Sequence, residues 1–142
     1  MPLEDLLSGL RSGTYRVTSP VDRDYNCIAW AVGNTRDWLW PGDPDVSVWP
    51  DDLPHEESLP AFETLYARYG FAPCETEDFE PGFEKVALFA SVGSPTHGAR
   101  QLPNGRWTSK LGKSEDIEHD LRAIEGDVYG RVVRIFRRPA PG

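Results

Sequence analysis

Residues 96–110, Thr96-His97-Gly98-Ala99-Arg100-Gln101-Leu102-Pro103-Asn104-Gly105-Arg106-Trp107-Thr108-Ser109-Lys110, decide the fold. Asn104-Gly105 is a tight-turn signal between two strand-like runs, so the stretch reads as a β-hairpin. Alternation along the first arm puts His97, Ala99 and Gln101 on one face, with Arg100 and Leu102 opposite. Along the second arm, Trp107 and Ser109 oppose Thr108 and Lys110. Upstream, Lys85-Val86-Ala87-Leu88-Phe89-Ala90 is an apolar run fit for a buried strand. Downstream, residues 129–136 read as an edge strand whose arginines, with Arg131, Arg134, Arg137 and Arg138 clustered there, face solvent.

Helical signals flank this sheet. Asn26 is suited to cap a helix from Cys27 through Ile28, Ala31 and Val32 toward Leu39, weakened at Gly33 and stopped by Pro41-Gly42. A second helix has Pro60 in its first turn, Phe62, Leu65, Tyr66 and Tyr69 at helical spacing, and Gly70 at its end. A third is read from a Ser114 cap, with Ile117, Leu121 and Ile124 on one face and Gly126 as terminator. Pro41, Pro44, Pro50 and Pro54 make residues 41–58 an ordered loop, and residues 1–24 an arm leading to the first helix. The expectation is one α+β domain over residues 1–142, core approximately 20–137, with N-terminal helices packed on a small antiparallel sheet.

Composition narrows the partners. With 39% hydrophobic and 27% charged residues, the chain is globular in character and not disordered. Its net charge of −8 repels nucleic acid on average. No apolar stretch is long enough to span a bilayer, and the N-terminus lacks the pattern of a leader. Two cysteines point to a reducing compartment; a cytoplasmic location is favoured, although nonclassical export leaves little mark. A single Cys27–Cys74 bridge is the one disulfide available. No cofactor is implied, and nothing sets an oligomeric state.

Cys27 is the prime chemical candidate. A helix start favours a thiolate, and an imidazole beside it can accept and return a proton. His97, the histidine on the sheet, is the base candidate, with Gly98 and Ala99 leaving room for a helix to pack. His119, on the third helix, reads as solvent-exposed, and His55 lies in the acidic loop. Metal spacing is absent: there is no HExxH or paired CxxC, and Asp43, Asp45, Asp51 and Asp52 read as a solvated loop. Trp38, Trp40 and Trp49 are packing residues or a binding platform, and Trp30 is placed to wall a groove beside Cys27.

The strings Tyr25-Asn26-Cys27-Ile28-Ala29-Trp30-Ala31, Thr96-His97-Gly98-Ala99-Arg100-Gln101, residues 105–112 (Gly-Arg-Trp-Thr-Ser-Lys-Leu-Gly) and Asp116-Ile117-Glu118-His119 resemble a small bacterial family of unassigned activity, across roughly residues 20–137. More distantly, cysteine helix followed by histidine strand resembles the papain-like fold of NlpC/P60 amidases. That resemblance implies Cys27 as nucleophile and His97 as general base. The orienting group is open among Gln101, Asn104, Thr108, Ser109, Glu118 and His119, with Asn26 and Trp30 as further orienting or pocket residues, and the family's usual Asp before the cysteine is replaced by Asn26. The implied activity is a cysteine-dependent hydrolase or amidase, forming a thioacyl intermediate on a peptide, peptidoglycan or protein substrate. The alternative is a noncatalytic protein-interaction domain using the aromatic-rich loop at 38–50.

Overall fold

In the computed structural model, which describes residues 15–19, 24–111 and 116–141, one antiparallel sheet of seven strands dominates. The strands are β1 (Arg16–Ser19), β2 (Ala72–Cys74), β3 (Phe83–Ser91), β4 (Ser94–Gln101), β5 (Trp107–Lys110), β6 (Asp116–His119) and β7 (Arg131–Pro139), in the order β1-β6-β5-β4-β3-β7-β2. Two helices, α1 (Cys27–Ala31) and α2 (Leu59–Arg68), cover one face. The fold is mostly sheet. The expected balance of N-terminal helices over a small sheet is corrected accordingly.

Strand β3 explains why its run is apolar throughout. Val86 and Leu88 join Ile28, Phe62, Leu65 and Tyr66 in the core under the helices. Ala87 and Phe89 enter a second core with Trp107, Ile117, Leu121 and Ile124 on the opposite face. A strand covered on both faces has no solvent side and does not alternate. The hairpin between β4 and β5 forms as read, with Gly105 at φ 85 and the Leu102 N–H donating to the Arg106 carbonyl at 2.7 Å.

Helix α1 is cut to five residues. Asn26 caps it through the Ala29 N–H, but Gly33 adopts φ 84 and its N–H bonds to the Trp30 carbonyl. A glycine in the left-handed region ends a helix more firmly than it weakens one. Asn34 then accepts from the Arg36 and Asp37 N–H groups, turning the chain before Leu39. By contrast α2 follows its signals, with Pro60 in the first turn and Gly70 after the end at φ 90; Ser58, not read from the sequence, caps it.

Among the described residues the third helix is absent. Residues 116–119 form β6 between β1 and β5, and Leu121–Ile124 is a single 3-10 turn. A surface helix needs a wet face, yet Asp116, Ile117, Glu118 and His119 are all buried. The cap read at Ser114 lies outside the described residues, as does most of the arm over 1–24, where Arg16–Ser19 is a strand.

Strand β7 lies between β3 and β2, not at an open edge, although three-residue β2 covers only its second half. Three of its four arginines are engaged: Arg134 with Glu63 at 3.0 Å, Arg137 with Glu80 at 2.6 Å and Arg138 with Glu84 at 3.3 Å. Among the described residues no helix is long and apolar enough to cross a membrane.

Candidate functional site

Helix α1 lies on the β4–β5 face that carries Gly98, Arg100, Thr108 and Lys110. The contact is closest at Gly98, where a Cβ would sit 3.4 Å from Ala31 Cβ and 2.4 Å from the Tyr66 hydroxyl. It is the Tyr66 hydroxyl, reaching in from α2, that only glycine admits here. Cys27 is the first residue of α1 and is buried there. Burial pushes its thiol up to about 11, against the opposing pull of the Gly98, Ile28 and Cys27 N–H groups and the Lys110 ammonium. The thiolate fraction at neutral pH is therefore about one in ten thousand. Both Cys27 and Cys74 are free thiols, so the Cys27–Cys74 bridge is absent.

His97 points the other way. Because Gly98 faces α1, strand alternation turns the neighbouring His97 to the opposite face. There its ring stacks on Tyr129 at 4.1 Å and meets the edge of Phe89 at 5.2 Å. It is fully buried, and neither ring nitrogen has a hydrogen-bond partner. Burial, with the nearby His119 adding to it, lowers its pKa to about 3. The expected meeting of Cys27 and His97 does not occur: the sheet lies between them. The alternation pattern is as read from the sequence; the helix took the face with the smallest residue, which is not the histidine's face.

His119 is also buried, correcting its expected exposure. Its Nδ1 lies 2.7 Å from the Asp120 carbonyl oxygen and its Nε2 2.7 Å from Ser109 Oγ. A carbonyl only accepts, so Nδ1 carries the proton and the Ser109 hydroxyl donates to Nε2. Burial lowers the His119 pKa to about 4, with the Asp120 carbonyl bond opposing the shift. Ser109, His119 and His97 thus share the face away from Cys27. Each side chain there is enclosed, as a structural polar pair would be.

The remaining candidates divide by face and by task. Trp30 stacks on Tyr25 at 5.6 Å and donates its indole N–H to Thr108 Oγ1 at 3.2 Å, beside Cys27 on the helix side. Glu118 binds Arg16 at 3.0 Å and Arg106 at 3.3 Å. Gln101 donates to the Glu77 and Gly105 carbonyls and pins the hairpin. Asn26 holds both backbone groups of Leu39. His55 is exposed; Asp43 Oδ1 accepts from the Asp45 N–H, and the Asp43 backbone carbonyl accepts from the Ser47 hydroxyl. Among the described residues no group of three or more His, Cys, Asp or Glu side chains is arranged to hold a metal.

Sequence reasoning missed the polar groups that do share the Cys27 face. Lys110 is fully buried, with its ammonium 5.2 Å from the Tyr25 ring centroid. Tyr25 donates to Asp116 Oδ2 at 3.0 Å, while Asp116 Oδ1 and the Tyr66 hydroxyl are buried without a hydrogen-bond partner. The signal for Lys110 was its alternation with Trp107 and Ser109. Nothing local signals Tyr66, whose residue type and helical spacing are those of ordinary core.

The two buried histidines predict acid sensitivity. Their folded pKa values, about 3 and about 4, lie below the ordinary 6.5, so the unfolded chain protonates first as pH falls. Their contribution is fully present above pH 6.5 and is lost as pH falls, continuing toward about 4 and then about 3. Between roughly pH 6 and 5, above most carboxylate titration, each removes about 1.4 kcal/mol per pH unit. Urea unfolding across this window should show that slope, and His97→Met should roughly halve it. A flat profile in the parent protein would contradict the enclosed, neutral imidazoles.

A family model described as Domain of unknown function (DUF7689) matches residues 16–137. No curated protein and no solved structure matches.

Proposed function

We propose that this chain, which belongs to the DUF7689 family, is a noncatalytic binding domain that docks a protein partner on its aromatic-rich loop at 38–50. The observation that supports this reading is a rigid loop displaying apolar side chains. Val46 and Val48 are 73% and 49% exposed, although the loop beneath them is tightly bonded. Val48 donates to the Trp38 carbonyl at 2.8 Å, Trp40 to the Val48 carbonyl at 3.2 Å and Val46 to the Asp43 carbonyl at 3.1 Å. Trp40 and Trp49 anchor the loop on Phe62, with ring centroids 5.2 and 5.1 Å apart. Loop ordering is thus complete before binding, which lowers the entropic cost of association.

Trp38, Val46 and Val48 line a groove with Asp24, Asp37 and Asp45, against the one cation Arg36. Its chemistry suits an apolar segment carrying basic residues, in keeping with the net charge of −8 and not with nucleic acid. Two free cysteines are in keeping with a reducing compartment such as the cytoplasm. The test is a titration of isotope-labelled protein with a Lys/Leu peptide, using a Glu/Leu peptide as control. The Trp38 indole and the Val46 and Val48 amides should shift saturably with the basic peptide. Val46→Asp with Val48→Asp should weaken binding at least about tenfold, at unchanged melting temperature, because both side chains are exposed. Equal response to both peptides, or unchanged binding by the double variant, overturns the reading.

A second reading, the cysteine-dependent hydrolase, is favoured by the polar ring around the sulfur: three backbone N–H groups and the Lys110 ammonium on one face. Thiolate attack on an amide or ester carbonyl of a peptide, peptidoglycan or protein would form the C–S bond of a thioester and release an amine or alcohol. Water would then cleave that bond, releasing the acid and restoring the thiol. Iodoacetamide labelling of a Cys74→Ser protein separates the two readings. A buried structural thiol labels slowly, with the rate rising about tenfold per pH unit toward its pKa of about 11. A labelling midpoint below about pH 8 that requires His97 would replace the binding reading with the hydrolase.

A further inference from the structure

Most arginines here hold a carboxylate, as Arg134 holds Glu63 and Arg138 holds Glu84, or, like Arg36 and Arg131, sit exposed. Arg100 does neither. It is half-buried on β4, two residues beyond Gly98, with its guanidinium carbon 4.6 Å above the Trp30 ring. Among the described residues it has no hydrogen-bonded or ion-paired acceptor. The stacking partner covers one flat side of the fork and leaves the N–H edge without a partner. Arg100 also lines a surface cleft with Phe79, Phe83, Glu84, Leu102 and Pro103. Phe79 is 44% exposed in that cleft, a large aromatic that the fold has not covered.

We propose that this cleft is a binding site for an organic carboxylate with a flat or apolar body. The guanidinium fork takes the carboxylate oxygens in pairs, and Phe79 and Leu102 flank the body; the Phe83 ring is already covered by Arg137 at 4.4 Å. Solvent reaches the guanidinium, whose nitrogens are not among the buried atoms that lack a partner, and a planar anion would replace that water with a pair of charge-assisted bonds. Burial already lowers the Arg100 pKa, with the Glu84 and Asp116 carboxylates opposing, so the charge is undercompensated as it stands. Glu84 is the one anion in the cleft, and Arg138 holds it at 3.3 Å. Inorganic phosphate offers the same oxygen pairs but nothing for the apolar walls. The inference does not rest on the loop at 38–50, nor on any chemistry at Cys27.

The probes are benzoate, benzamide as its uncharged analogue, and inorganic phosphate, each added to the full chain at up to about 10 mM. The readout is the Trp30 indole N–H resonance, assigned by its loss in Trp30→Phe. Benzoate should shift that resonance saturably, whereas benzamide and phosphate should leave it within about a tenth of that change. Arg100→Met should weaken benzoate at least about tenfold, and Arg100→Lys, which keeps the charge but loses the fork, nearly as much. Glu84→Gln should tighten it about threefold by removing the competing anion. Benzamide matching benzoate, or Arg100→Met binding as the parent does, overturns the proposal. Phosphate matching benzoate overturns the assignment of the apolar body.

Discussion

Gly130→Ala should destabilise the protein by about 3–4 kcal/mol and lower its melting temperature by roughly 10 °C. A Cβ at this position would stand 2.0 Å from the Ala90 carbonyl oxygen, 2.6 Å from its carbon and 3.0 Å from the Ser91 nitrogen. All three atoms are backbone at the end of β3, so none can swing aside as a side chain would. Gly130 also holds φ +76, where an L residue is strained by about 1–2 kcal/mol before any clash. The damage reaches the second core. Gly126 and Gly130 exchange two backbone bonds, and Tyr129 between them accepts the Thr96 hydroxyl on its carbonyl and stacks on His97. Moving residue 130 therefore uncovers the imidazole. Gly82→Ala is the control, with φ +87 and nothing within 4 Å of the added carbon. It should cost about 1–2 kcal/mol in urea unfolding, from backbone strain alone. Equal losses in the two variants would mean that the close approach to Ala90 contributes nothing.

Gly130 also shows what a sequence conceals. Local chemistry was legible where one signal had one structural solution: the Asn104-Gly105 turn, the apolar run at 85–90, and the Pro60 and Gly70 boundaries of α2. Residues 116–124 had two solutions. Ile117, Leu121 and Ile124 share a helix face, but they also enter one core from a strand followed by a 3-10 turn. Pairing with β1 and β5 decided between them, and pairing over such distances leaves no local mark.

The site divides along the same line. Alternation gave His97, Ala99 and Gln101 a common face, yet it could not say which face α1 would cover. Helix α1 lies on the Gly98 face, and the histidine is turned away as a consequence. The polar side chains that share the Cys27 face come from three separate places. Tyr66 is on α2, Lys110 on β5 and Asp116 on β6. Their grouping is a property of the sheet order.

Asn26→Ala should cost about 3–5 kcal/mol, more than a helix cap alone contributes. The side chain is almost fully enclosed and makes three bonds: Oδ1 accepts from the Ala29 N–H at 3.2 Å and the Leu39 N–H at 3.0 Å, and Nδ2 donates to the Leu39 carbonyl at 2.7 Å. Loss of the cap costs about 1 kcal/mol. The two Leu39 groups, left buried without partners, add about 1–3 kcal/mol each at most. Asn26→Asp separates the two roles. Aspartate is as good a cap as asparagine, so if capping were everything the change would be nearly silent. It cannot donate to the Leu39 carbonyl, however, and would set a carboxylate oxygen against it in a buried site. Its loss in urea unfolding should therefore approach that of alanine. Asn26 also ties the first residue of α1 to the segment that begins the 38–50 loop. Both variants should therefore label Cys27 faster than the parent at urea concentrations below global unfolding, and should weaken the basic peptide although Asn26 does not line its groove. If Asn26→Asp keeps parental stability and parental labelling, Asn26 is a cap and not the pin between helix and loop.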